Sequence, residues 1–156
     1  MHLCWPDYFS GQHRNSSGQA VSAAESTMAM NSLYAQLGGE HVVRELVEVF
    51  YDIVENEPEG HALKMLHLRG HGIAHSRIEQ FNFLTGFFGG PKLYAEKHGH
   101  SNVRKMHEHV EINSEARDAW LNCMTMALDR VNVGTAVKNE IMRHFRVVAH
   151  NLQNQE

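Results

Sequence analysis

The sequence predicts an all-α protein. Three observations lead there: apolar residues recur at helical spacing in several segments, glycines punctuate those segments, and no alternating β-branched run is long enough for a strand. A length of 156 residues suits a single domain with a sizeable core.

The elements follow in order. Residues 1–30 stand apart as a flexible N-terminal extension. Residues 10–29 are rich in Ser, Gly, Ala and Gln and lack apolar periodicity. Met28 and Met30 lie just before the patterned region, so the extension reads either as functional or as the remnant of a mis-assigned start or of cloning. Residues 33–37 form a short helix stopped by Gly38 and Gly39. Over residues 40–55, Val43, Leu46, Val47, Phe50 and Val54 make one apolar face. Pro58 opens a short helix through Leu63 and Leu66. Gly70 and Gly72 interrupt it, and residues 73–88 form a long apolar helix ended by Gly89, Gly90 and Pro91. Asn113 and Ser114 cap a helix with Trp120, Cys123, Met124, Ala127, Leu128 and Val131 in its stripe. Gly134 precedes a last helix faced by Ile141, Phe145, Val148 and Leu152.

Composition narrows the function. A net charge of −4 gives no electrostatic case for nucleic acid or an anionic membrane. No run of ~18 apolar residues spans a bilayer, and Asp7 interrupts the short start before a signal peptide can form. Two cysteines, Cys4 and Cys123, make a disulfide framework unexpected and fit a reduced cytoplasm. Thirteen histidines are the anomaly. They are spread along the chain rather than clustered as in a tag, and imidazole is the commonest metal ligand.

A plain four-helix bundle satisfies the same periodicities. The segment 91–112 speaks against it, being long for a bundle connection and carrying His98, His100, His107 and His109. Zinc is one reading of these histidines, but no thiolate lies near and the spacing is not that of structural zinc sites. His71 and His75 are four apart, yet no HExxH glutamate accompanies them. No matched pair of Glu-x-x-His motifs is present for a di-iron bundle. Haem asks for less: one neutral imidazole, an apolar slot, and donors for its propionates. Phe81, Phe83, Leu84, Phe87 and Phe88 offer the slot, while Tyr94, Lys97, His100 and Arg104 offer the donors. His107 follows, placed near the start of the next helix.

Residues 31–152 resemble the group II truncated haemoglobins, shortened globins with a two-over-two helical sandwich around haem. The matching strings are LGGEHVVRELVEVFYDIV (37–54), FLTGFFGGPKLYAEKHGH (83–100), VRKMH (103–107) and ARDAWLNCM (116–124). The resemblance implies a truncated globin domain over residues 31–156 with haem b (iron protoporphyrin IX) as cofactor. It makes His107 the proximal iron ligand and sets Phe83 against the haem plane. It makes Tyr51 the distal hydroxyl and Trp120 the indole that closes the distal pocket. His67, Ser76 and Gln80 fall at pocket positions, Ser76 at the gate and Gln80 where an apolar residue is usual. Two strings depart from the family. GHPRLR reads GHSNVR here, and Met106 and His109 replace the arginine and proline that usually flank the ligand.

A bound diatomic ligand carrying partial negative charge accepts hydrogen bonds, and Tyr, Trp and Gln all donate them. The resemblance therefore implies an oxygen-binding haem protein with O2, NO or CO as ligands. It is suited to redox chemistry or scavenging, as a nitric oxide dioxygenase or a weak peroxidase, with a reductant as partner and room for a homodimer. Oxygen storage or transport is the alternative. A histidine-rich, non-haem metal-binding protein is the reading outside haem chemistry.

Overall fold

The computed structural model describes residues 32–156, so the N-terminal extension read over residues 1–30 lies outside the described residues. Among the described residues the secondary structure is helical: α1 (Leu33–Leu37), α2 (Glu40–Asn56), a 3-10 turn (Pro58–Gly60), α3 (His61–Leu68), α4 (Ile73–Phe87), α5 (Leu93–His98), α6 (Val103–His107), α7 (Ser114–Arg130) and α8 (Thr135–Leu152). None of these helices is long and apolar enough to cross a membrane.

The helices pack as two pairs. α2 lies on both α4 and α7, and α7 lies on α8. This makes a two-over-two sandwich, and it explains why the buried arc of α2 is wider than its apolar stripe. Val43, Leu46, Val47, Phe50 and Val54 are buried as expected, and Tyr51 and Ile53 are fully buried beside them because α2 has two neighbours. The α2–α7 seam continues through Cys123, Met124, Ala127 and Leu128 into Ile141, Phe145 and Val148 of α8. Gly60 lets the 3-10 turn press against α2, since a Cβ there would stand 2.4 Å from the Val54 Cα.

Segment 91–112 is not a plain loop. It holds α5 and α6, of six and five residues, too short to show a helical period in the sequence. His107 accordingly ends α6 rather than standing near the start of the helix that follows; α7 begins at Ser114 with Asn113 as its cap.

α4 is the unusual element. Ser76, Glu79, Gln80 and Thr85 are all buried on it, whereas Ile78 is 58% exposed. Burying polar side chains costs free energy unless each finds a partner. Two are satisfied within the helix: Ser76 Oγ donates to the Gly72 carbonyl at 3.1 Å, and Thr85 Oγ1 to the Phe81 carbonyl at 2.8 Å. Glu79 and Gln80 reach other elements.

Candidate functional site

His107 is anchored by its own short helix. Asn102 caps α6, its side-chain oxygen accepting the Lys105 N–H at 3.1 Å. The imidazole is buried, and Nδ1–H donates to the Val103 carbonyl at 2.8 Å, one turn back. That bond selects the tautomer whose lone pair is on Nε2, the form an imidazole needs as a metal ligand. The chain beyond is pinned by Asn154. Its Nδ2 donates to the Val110 carbonyl at 2.8 Å, its Oδ1 accepts from Ile112 N–H at 2.8 Å, and its own N–H donates to the Ile112 carbonyl at 2.9 Å. This staple is absent from any local pattern, because its partners are more than forty residues apart in the chain.

His107 lines a small cavity together with Leu63, Leu66, Ile112, Ala116, Arg117, Trp120, Ala149 and Leu152. The wall is mainly apolar. Trp120 packs edge-on against Phe145, with ring centres 4.9 Å apart, and stands 5.4 Å from Phe50.

A second cluster is polar. Tyr51 O–H donates to Gln80 Oε1 at 2.9 Å, both side chains being fully buried. His67 stands edge-on to Tyr51 at 5.5 Å, and its Nδ1–H donates to the Leu63 carbonyl at 2.7 Å. Burial holds the His67 imidazole below its ordinary value of 6.5, outweighing the bond to Leu63 that would raise it. His67 is therefore neutral at pH 7 and presents a lone pair at Nε2, not a donor. Two buried atoms of this cluster, Gln80 Nε2 and His67 Nε2, have no hydrogen-bond partner on the described protein. Ser76 precedes Gln80 by one turn and is buried as well.

The residues expected to meet propionates are dispersed. Tyr94 is buried between Phe83, edge-on at 5.9 Å, and the His98 ring at 4.3 Å. His100 accepts the Asn102 N–H at 3.2 Å, and Arg104 is exposed. Lys97 does bind a carboxylate, but it is the chain's own. It pairs with Glu79, whose other oxygen accepts from His98 Nε2 at 2.6 Å. Glu79 is a buried residue that sequence reasoning missed. Burial alone would raise its carboxyl, but the hydrogen bonds and charges of Lys97 and His98 outweigh burial and hold it below its ordinary value of 4.5. His109 faces outward, 83% exposed beside Glu108.

These shifts define an acid response. Glu79 is depressed, so its stabilisation is present above about pH 4.5 and is lost as pH falls further, through the folded value. His67 is also depressed, so the unfolded chain takes up its proton first as pH falls below 6.5, and stability declines from there. Glu79→Gln is expected to cost about 1.5–3 kcal/mol at pH 7, the worth of hydrogen bonds to a charged group, and progressively less below pH 4.5. Thermal unfolding of both proteins across pH checks this. A deficit independent of pH would contradict it.

The fold and these two clusters define a class: a helical protein built to hold haem. One backbone-anchored imidazole on an apolar cavity meets the cofactor's main demand. The buried polar atoms without protein partners fit a site completed by a small polar ligand. Among the described residues, no three His, Cys, Asp or Glu side chains gather as a metal-holding group, and haem needs only one.

Comparison with known proteins agrees. A family model described as bacterial-like globin matches residues 32–154. The group 2 truncated hemoglobin YjbI of Bacillus subtilis is 32% identical over 127 residues, covering 81% of this chain and 92% of the relative. The group II 2-on-2 hemoglobin of Agrobacterium tumefaciens superposes with a TM-score of 0.75 at 30% identity, over 91% of this chain and all of that one. A truncated oxygen-avid haemoglobin from Bacillus subtilis gives a TM-score of 0.71 at 32% identity, over 80% and 100%. The chain belongs to the bacterial-like globin family and, within it, to the group II truncated haemoglobins. Membership brings haem binding and small diatomic ligands with it.

Proposed function

We propose that the chain holds haem b through His107 and retains oxygen long enough to react with it, serving NO and oxygen redox chemistry or scavenging rather than bulk transport. One observation carries the reading: Tyr51 spends its O–H on Gln80 Oε1, and the Gln80 amide nitrogen is left buried without a protein acceptor. A buried donor in that state is costly unless a ligand accepts from it.

When bound, the haem would be held by His107 and would supply an iron able to take a diatomic ligand. The chain's own residues do the rest. Gln80 offers the amide N–H, aligned by Tyr51 from α2. Trp120 adds an indole N–H and apolar bulk beside the His107 cavity. His67 accepts rather than donates, so its part is to hold a water, not the ligand. Phe83 and Tyr94 pack together as one aromatic wall. Tyr94, His100 and Arg104 remain for the propionates, with Lys97 engaged by Glu79.

Turning oxygen and nitric oxide into nitrate consumes one electron (NO + O2 + e⁻ → NO3⁻), so a one-electron reductant is the partner this function requires. A relative described as oxygen-avid supports the same reading. The experiment mixes the oxygenated protein with NO in a stopped-flow instrument and measures nitrate. Stoichiometric nitrate, formed faster than oxygen leaves, is expected. Oxygen release that outruns the reaction, with no nitrate, would favour a carrier instead.

A further inference from the structure

We propose that Arg77 is the positioning residue of the distal pocket, fixing α4 on α2 at the level where Tyr51 meets Gln80. The inference rests on the role given above to Tyr51 and Gln80.

Arg77 lies between Ser76 and Gln80 on α4, yet its side chain runs across to α2. One guanidinium nitrogen donates to the Glu48 carbonyl at 3.0 Å and to the Glu48 carboxylate at 2.6 Å. The other donates to Asp52 at 2.8 Å and to Glu55 at 2.7 Å. Glu48, Asp52 and Glu55 recur at i, i+4 and i+7, so they lie along one face of α2. Tyr51 is on the same helix, and the guanidinium carbon stands 5.7 Å from the centre of its ring. The Arg77 side chain is only 18% exposed, although each carboxylate reaches solvent.

This geometry does more than join two helices. A planar, rigid fork held by three carboxylates and one backbone carbonyl resists both sliding and rotation of α4 along α2. The Tyr51–Gln80 bond measures 2.9 Å, and a slide of about half an ångström would carry it past the ~3.2 Å range of a good hydrogen bond. A residue that merely ties α4 to α2 would change stability alone. A positioning residue must also change what the pocket does, through Tyr51.

The test uses the full-length, haem-loaded protein with Arg77→Met, Tyr51→Phe and the double variant. Its readouts are oxygen release, the C–O stretching band of the carbon monoxide complex, and thermal unfolding. Arg77→Met should speed oxygen release about tenfold, the loss expected when one aligned hydrogen bond is misplaced, and broaden or split the C–O band. In the Tyr51→Phe background the same change should add less than about twofold, because the two act through one network. Arg77→Lys, which keeps the charge but not the fork, should restore part of the effect. If Arg77→Met takes up no haem, Asp52→Asn with Glu55→Gln removes two of the three carboxylates and should shift release in the same direction. A lower melting temperature with unchanged release and an unchanged C–O band overturns the proposal, as does full additivity with Tyr51→Phe. If Tyr51→Phe itself leaves release unchanged, the distal reading fails and this inference falls with it. If Tyr51→Phe speeds release and Arg77→Met does not, only the inference about Arg77 fails.

Discussion

Replacing His107 by alanine is expected to strip the protein of stably held haem. The imidazole sits buried at the end of α6 with its tautomer set by the Val103 carbonyl, and the other histidines of its segment are held elsewhere. His98 is tied to the buried Glu79 carboxylate at 2.6 Å, His100 accepts from the Asn102 backbone, and His109 is turned to solvent. Loss of the one axial bond from the protein leaves only apolar contact to hold the cofactor. The Soret band of purified His107→Ala should therefore be weak and easily lost to a haem acceptor, while His98→Ala and His109→Ala keep theirs. Free imidazole should restore binding to His107→Ala, since the substitution opens space beside Leu63, Ile112 and Trp120. An intact proximal iron–imidazole stretching band in the alanine variant would sink the assignment.

Removing the Gln80 amide and the Trp120 indole N–H together is expected to accelerate oxygen release about a hundredfold. A hydrogen bond to a strongly polarised acceptor contributes roughly 1.5–3 kcal/mol, and each ~1.4 kcal/mol is a factor of ten. Tyr51→Phe removes the group that orients Gln80, and Gln80→Leu removes the buried amide itself. Because the two form one hydrogen-bonded unit, their effects should fall short of additive. Trp120→Phe retains bulk against Phe145 but loses the indole N–H, so its effect separates donation from packing. Carbon monoxide, less polar when bound, should respond less. Stopped-flow oxygen release from the single and paired variants measures all of this. Unchanged release in both Tyr51→Phe and Trp120→Phe would remove the donor cluster from the account and leave storage or transport as the better function.

The long amphipathic helices were legible because burial on one side writes a period into the sequence, as at Val43, Leu46, Val47, Phe50 and Val54. α4 was legible as a helix but not in its facing. Ile78 points to solvent while Glu79 and Gln80 are fully buried, so apolar periodicity there misleads. α5 and α6 span too few turns to leave a pattern, and they are held in place from outside by Glu79 and by the Asx cap of Asn102. The imidazole at 107 and the groups at 51, 67, 76, 80 and 120 came from the family strings rather than from periodicity. What neither source contained was the long-range wiring. Arg77 to α2, Glu79 to Lys97 and His98, and Asn154 to residues 110 and 112 link positions 18 to 44 residues apart. Such pairings depend on how whole helices meet, which no local stretch of sequence encodes.

One imidazole, His107, is expected to hold one haem. The most direct measurement is a titration of the purified protein with haem, followed by a resonance Raman spectrum of its ferrous form. The expected result is a Soret band that saturates at one equivalent and an iron–histidine stretching band in the wild type that disappears in His107→Ala. Failure to develop a Soret band, or an iron–histidine band that survives the substitution, would contradict it.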